Sequence, residues 1–314
     1  MNPKGKIGIL AILAAILVIL FLFVNVGSNW GYVFPRRVVK ILAMILTGIS
    51  IAFSTAIFQT ITNNRILTPS ILGLDSLYML VQTFVIFTFG SMSLTVTNAN
   101  LNFLLSVGMM VLFSAILYRM LFREEKSLYL LLLIGVIFGT LFQSATTFMQ
   151  VLIDPNEFLV VSDRMFASFN NINSDLLLTS FIGLLLVFLY FIQFYKYLDV
   201  LSLGREQSIN LGIDYDYVVK RLLIIVAILT SISTALVGPI TFLGLLVVNV
   251  AYEFLKSYQH KYLITGSIFL AIVALVGGQY LVERVFSFTT TISVIINFIG
   301  GVYFIYLLVR ERKP

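Results

Sequence analysis

The residues able to do chemistry are few and far apart. There is no cysteine and a single histidine, His260, so thiolate metal sites are excluded and a zinc or haem site has almost no ligands to draw on. His260 stands in a short loop between Lys256 and Lys261 and reads as a solvated member of that charged loop, not a metal ligand. Asp75 falls just inside an apolar stretch beside Gly73, where a carboxylate requires a partner or a water-filled cavity. Glu283 and Arg284 adjoin near the end of another such stretch, as an outer-gate or docking pair or as a plain interfacial ion pair. Gln59 sits at depth in a third, where it either lines a translocation path or joins the packing of the small residues Gly48, Ser50, Ala52, Ser54 and Ala56. No facing set of acid, base and nucleophile marks an intramembrane enzyme. No paired intramembrane acids mark an ion-driven carrier, and no Gly-rich Walker loop marks a nucleotide site. The expectation is a protein without catalytic residues, cofactor or metal.

The elements that must position these groups are membrane helices. Of 314 residues, 60% are hydrophobic and only 11% charged, and the mean hydropathy is +1.03. A soluble domain carries roughly 25% charged residues, so this chain cannot cover a water-facing surface. Apolar runs predict ten spans: Ile7–Val26, Val38–Ile61, Ile71–Phe89, Leu101–Leu121, Leu128–Leu152, Leu176–Phe194, Leu222–Val237, Ile240–Leu255, Leu263–Val282 and Ile292–Val309. The first, after Lys4 and Lys6, is too long for a signal peptide and lacks a small-residue cleavage site, so it reads as an anchor helix. The seventh and eighth are one apolar stretch divided at Gly238-Pro239, where a lost donor and a weak helix former favour a reversal. With ten spans and the N-terminus inside, fifteen of the 20 Lys and Arg fall on the inner side, which places both termini in the cytoplasm. The net charge of +6 thus belongs to the membrane surface and not to nucleic acid.

Two loops differ in character. The outer one, 153–175, is polar, with Asp154-Pro155-Asn156 and Asn170-Asn171 as turn signals. The inner one, 196–220, interleaves Asp199, Arg205, Glu206, Asp214 and Asp216 with Leu203, Ile209, Leu211 and Ile213. It predicts one or two short amphipathic helices hinged at Gly204 and Gly212, either a docking surface for a soluble partner or a solvated connector.

Two stretches resemble the FecCD permeases, the membrane subunits of importers for ferric siderophores, haem and cobalamin. The first holds Arg37-Val38-Val39-Lys40, Thr47-Gly48, Ala56-Ile57-Phe58-Gln59, Asn63-Asn64-Arg65 and Pro69-Ser70-Ile71-Leu72-Gly73. The second runs from Leu201-Ser202-Leu203-Gly204 through Leu211-Gly212-Ile213 to Val237-Gly238-Pro239-Ile240-Thr241-Phe242-Leu243-Gly244-Leu245. The chain departs from the pattern at Val248-Asn249, where a Pro-His pair is common, at Thr290–Val294, and at Lys40, where arginine is usual. These departures are similar to those of a divergent branch, the catecholate-siderophore permeases of Gram-positive bacteria.

The resemblance implies an all-α type II ABC importer permease, one domain over 1–314 with 196–220 as its cytoplasmic coupling loop. It implies a second permease, two ATPase subunits and an extracellular siderophore-binding protein as partners. Leu203, Gly204, Arg205, Leu211 and Gly212 would couple to the ATPase. Arg37 and Lys40 would dock the binding protein. Gln59, Gly238 and Pro239 would lie on the path or its gate.

Overall fold

The computed structural model describes residues 2–26, 29–123, 128–170 and 172–311. Asn171, a turn signal above, lies outside them, as do Lys126, Arg312 and Lys313 and the side chain of Arg123, four of the fifteen charges assigned to the inner side. Among the described residues the chain is helical without strands. Its helices are α1 (Pro3–Phe23), α2 (Trp30–Thr62), α3 (Leu74–Phe89), α4 (Leu94–Thr97), α5 (Ala99–Arg123), α6 (Leu128–Leu152), α7 (Pro155–Met165), α8 (Ser174–Phe191), α9 (Leu198–Leu201), α10 (Arg205–Asn210), α11 (Tyr215–Val237), α12 (Leu243–Leu255), α13 (His260–Arg284) and α14 (Ile292–Glu311).

Eight of them are long and apolar enough to cross a membrane. The other two apolar helices, α3 with 16 residues and α12 with 13, extend about 24 Å and about 20 Å, short of a hydrocarbon core of about 30 Å. Each expected span therefore has its helix, but the third and eighth are reduced. The third loses its first residues to a one-turn 3-10 helix, Pro69–Leu72. The eighth loses its start to the irregular segment after Gly238.

The 33-residue helix α2 is the centre of the bundle, packed by α11, α13 and α12. Its small residues explain why. Apolar side chains gain little from meeting in lipid, so close backbone approach must supply the contact. Ser50, Ala52, Ser54 and Ala56 are buried, and a Cβ on Gly48 would stand 3.3 Å from the Ala271 Cβ. A second close approach seats the Pro69–Leu72 turn on α6. A Cβ on Gly135 would lie 2.8 Å from the Leu72 Cα, and one on Gly73, which has φ +79°, would lie 2.9 Å from the Gly139 Cα. Some hydroxyls inside the bundle are satisfied within their own helices, as with Ser231 donating to the Ala227 carbonyl and Ser267 to that of Leu263.

Candidate functional site

The helices α2 and α13 run antiparallel and are joined at both ends. At one end the Lys40 ammonium meets a Glu283 carboxylate oxygen at 2.8 Å and the Asn170 side-chain oxygen at 3.0 Å. The Gln279 amide donates to Glu283 and to Asn170 at 3.1 and 3.2 Å. Glu283 is thus the partner of Lys40, and the expected Glu283–Arg284 pair does not form. Arg284 instead donates to the carbonyls of Val24 and Asn25. Arg37 also turns inward: it is buried and donates to the carbonyls of Phe21, Leu22, Val24 and Asn25. The last turn of a helix leaves carbonyls without partners, and here arginine from the next helix supplies the donors. Arg36 stays exposed, over the Tyr32 ring at 4.1 Å. These groups border an open cleft of about 640 Å³.

At the other end His260 is buried, 2% exposed, which corrects the expectation of a solvated loop residue. Its ring Nδ1 lies 2.6 Å from an Asp199 carboxylate oxygen, which also accepts the His260 backbone N–H at 2.9 Å. Its Nε2 lies 2.7 Å from the Thr60 hydroxyl on the last turn of α2. Asp199 belongs to α9, and although partial burial works to raise its pKa, the bonds from His260 and the nearby Lys261 hold it below the ordinary carboxylate value.

The segment 196–220 forms two short helices, α9 and α10, with glycines at the predicted hinges: Gly204 has φ +97° and Gly212 φ +82°. L side chains rarely adopt that conformation. The Ser208 hydroxyl lies 3.1 Å from the Val200 carbonyl and 2.7 Å from that of Gly204, so it holds α10 against α9. Leu198 and Leu201 face the bundle, whereas Leu203, Ile209 and Leu211 are 55%, 44% and 63% exposed. Arg205 reaches Asp216 at 3.7 Å, with both side chains exposed.

The break between α11 and α12 falls at Gly238-Pro239 as expected. Gly238 has φ +99°, and a Cβ there would stand 3.1 Å from the Ala167 Cα. The Ser168 N–H closes the contact by donating to the Val237 carbonyl at 2.9 Å. Asp75, at the start of α3, accepts from the Thr234 hydroxyl at 3.2 Å in a small pocket shared with Ser70, Thr230 and Thr241. The Gln59 amide donates to the Arg65 carbonyl at 2.7 Å, and Asn249 on α12 donates to the same oxygen at 2.9 Å. Gln59 therefore fixes the turn after α2, while also bordering a cavity with Thr60, Asn64 and Leu203.

The sequence reading missed one feature. On α6, Thr140, Gln143, Ser144 and Thr147 are all exposed, at the i, i+3, i+4, i+7 spacing of a single helical face. The stripe flanks the face of Gly135 and Gly139, which packs on the Pro69–Leu72 turn. Polar side chains at membrane depth normally face a bundle interior or a water-filled cavity. The spacing itself was the available signal.

Comparison with known proteins agrees with this architecture. The petrobactin import system permease YclO of Bacillus subtilis is 63% identical over 314 residues, covering 100% of this chain and 99% of its own length. The petrobactin import system permease FatC of Bacillus anthracis is 38% identical over 281 residues, covering 89% and 79%. A solved metal-chelate type ABC transporter, in an inward-facing conformation, superposes with a TM-score of 0.85 at 20% identity over 98% of this chain and 99% of that one, a likeness of fold. The sequence model of the FecCD transport family matches residues 8–310, and the chain belongs to that family.

Proposed function

We propose that the chain is the membrane-spanning permease subunit of an ABC importer for iron–siderophore complexes, with ferric petrobactin the first cargo to test. The observation that carries this is identity of 63%, from end to end, with a permease of a petrobactin import system. The α6 stripe supports it physically. The Thr140, Ser144 and Thr147 hydroxyls bond carbonyls of their own helix, and the exposed Gln143 on the same face is the group that fits a helix lining a path between two permeases. The chain acts as one domain beside a second permease.

In this reading both termini and the 196–220 loop are cytoplasmic, because the inner-side charges gather at that end. ATP is hydrolysed by partner subunits that receive Leu203, Gly204, Arg205, Leu211 and Gly212, whose exposed leucines fit a groove. The rim around Arg36, Arg37 and Lys40 receives the acidic surface of an extracellular binding protein, with Lys40 and the exposed Arg36 the better placed. Gln59, Gly238 and Pro239 act on the path by holding the turns beside it.

The test is uptake of radiolabelled ferric petrobactin by a strain lacking the gene. Uptake is expected to be lost, restored by the wild-type gene, and not restored by Gly204→Pro at equal membrane level. Unchanged uptake of every siderophore tried would overturn the assignment, and haem and cobalamin would then be the cargoes to examine.

A further inference from the structure

We infer that His260 is a positioning residue for transport: it is the joint through which α9 of the 196–220 loop holds both α2 and α13. The inference deepens the reading of that loop as the ATPase-coupling element and rests on it.

Chain continuity carries a displacement of the loop only to α8 and α11, the helices on either side of it. Packing of α11 on α2 passes part of it to the central helix, and the loop has in addition a direct tie to both α2 and α13. The N-terminus of α13 receives no side-chain cap from its own flanking residue, Gln259. Asp199 supplies that cap from α9, accepting the His260 N–H at 2.9 Å and the Nδ1 proton at 2.6 Å with one oxygen. A carboxylate there also meets the positive end of the helix dipole. The opposite ring nitrogen reaches Thr60 on α2 at 2.7 Å. One imidazole therefore touches three elements: the ring and Thr60 are buried, and Asp199 reaches them from the surface, 61% exposed. Leu198 and Leu201 bury the same short helix against the bundle, so α9 cannot pivot freely on Asp199 alone.

Beyond the joint, α2 and α13 behave as one rod. Their faces interlock at Gly48 and Ala271, and Lys40 clasps Glu283 about 30 Å further along α2. A push on α9 thus arrives at the opposite membrane face without passing through α8 or α11.

Because His260 is the only histidine, ¹⁵N-histidine labelling of the full chain, purified in lipid nanodiscs through a histidine-free tag, reports this ring alone. An ionised carboxylate only accepts, so Nδ1 should carry a proton in the wild type. In Asp199→Ala the proton should move to Nε2. An unprotonated Nδ1 in the wild type would overturn the joint. In the complete importer, Asp199→Ala should lower uptake about tenfold and the near-isosteric Thr60→Val about threefold, within the span of coupling mutations. Membrane level and unstimulated ATP hydrolysis should stay at wild-type values. If Asp199→Ala lowers the membrane level, Thr60→Val and the wild-type spectrum decide. Leu211→Glu tests the loop itself. Uptake abolished by Leu211→Glu but unaffected by both Asp199→Ala and Thr60→Val would overturn the joint and leave the coupling loop standing. Uptake unaffected by Leu211→Glu would remove the coupling reading and this inference with it.

Discussion

The two clasps between α2 and α13 do the same mechanical work with different chemistry. Lys40 and Glu283 form an ion pair on the wall of an open cleft, with Asn170 and Gln279 as additional polar partners. His260 and Thr60 form a buried hydrogen bond whose third member, Asp199, reaches in from a surface loop and is itself 61% exposed. An ion pair beside water can reopen when another charged surface competes for it. A buried histidine between helices cannot exchange partners without leaving polar atoms unpaired. On the proposed reading, the difference separates a rim able to respond to a docking protein from a joint that follows its own loop.

Several substitutions would break or sharpen this contrast. Gly48→Leu drives a side chain into Ala271 and Leu275 between the two clasps. Overpacking of this kind costs about 1–3 kcal/mol or more, and the yield of monodisperse protein on size-exclusion chromatography should fall sharply. His260→Phe strips Asp199 and Thr60 of the ring and should destabilise by about 2 kcal/mol in thermal unfolding, a loss that added salt leaves unchanged. Lys40→Met leaves Glu283 to Gln279 alone and should destabilise by about 1 kcal/mol, shrinking as salt rises, because the cleft admits ions. The reversed pair, Lys40→Glu with Glu283→Lys, should recover most of that stability. If the two clasps showed the same salt dependence, the distinction between rim and joint would fail. Arg205→Gln removes an exposed pair with Asp216 and should change stability by less than about 0.5 kcal/mol, so any loss of uptake it causes would lie in docking.

Much of the fold could be read from residue order alone, because a membrane helix announces itself by apolar length. The break at Gly238-Pro239 and the turns at Gly204 and Gly212 were equally legible, since those residue types fix local backbone geometry. Side-chain destinations were not. His260 stands among lysines and looks solvated. What buries it is Asp199, 61 residues away, and Thr60, 200 residues away, and no local period reports either. Arg37 and Lys40 share a helical face three residues apart, yet only Lys40 meets an acid. Arg37 goes to the carbonyls at the end of α1, a demand set by how that neighbouring helix happens to finish. The stripe on α6 was legible and passed over, because its hydroxyls lie within a run apolar enough to be counted only as a span.

The shortness of α12 bears on how the protein is made. At 13 residues, with apolar neighbours on both sides of it in sequence, this helix has too little length to settle stably across a bilayer by itself. Its first turn is fitted to α2, where a Cβ on Gly244 would collide with Thr55. It is followed by α13, whose starting residue is already tied to α2 and α9. During synthesis α12 would therefore enter the membrane in company, as the inner limb of a hairpin with α11 or α13, and complete its burial only after α2 is in place.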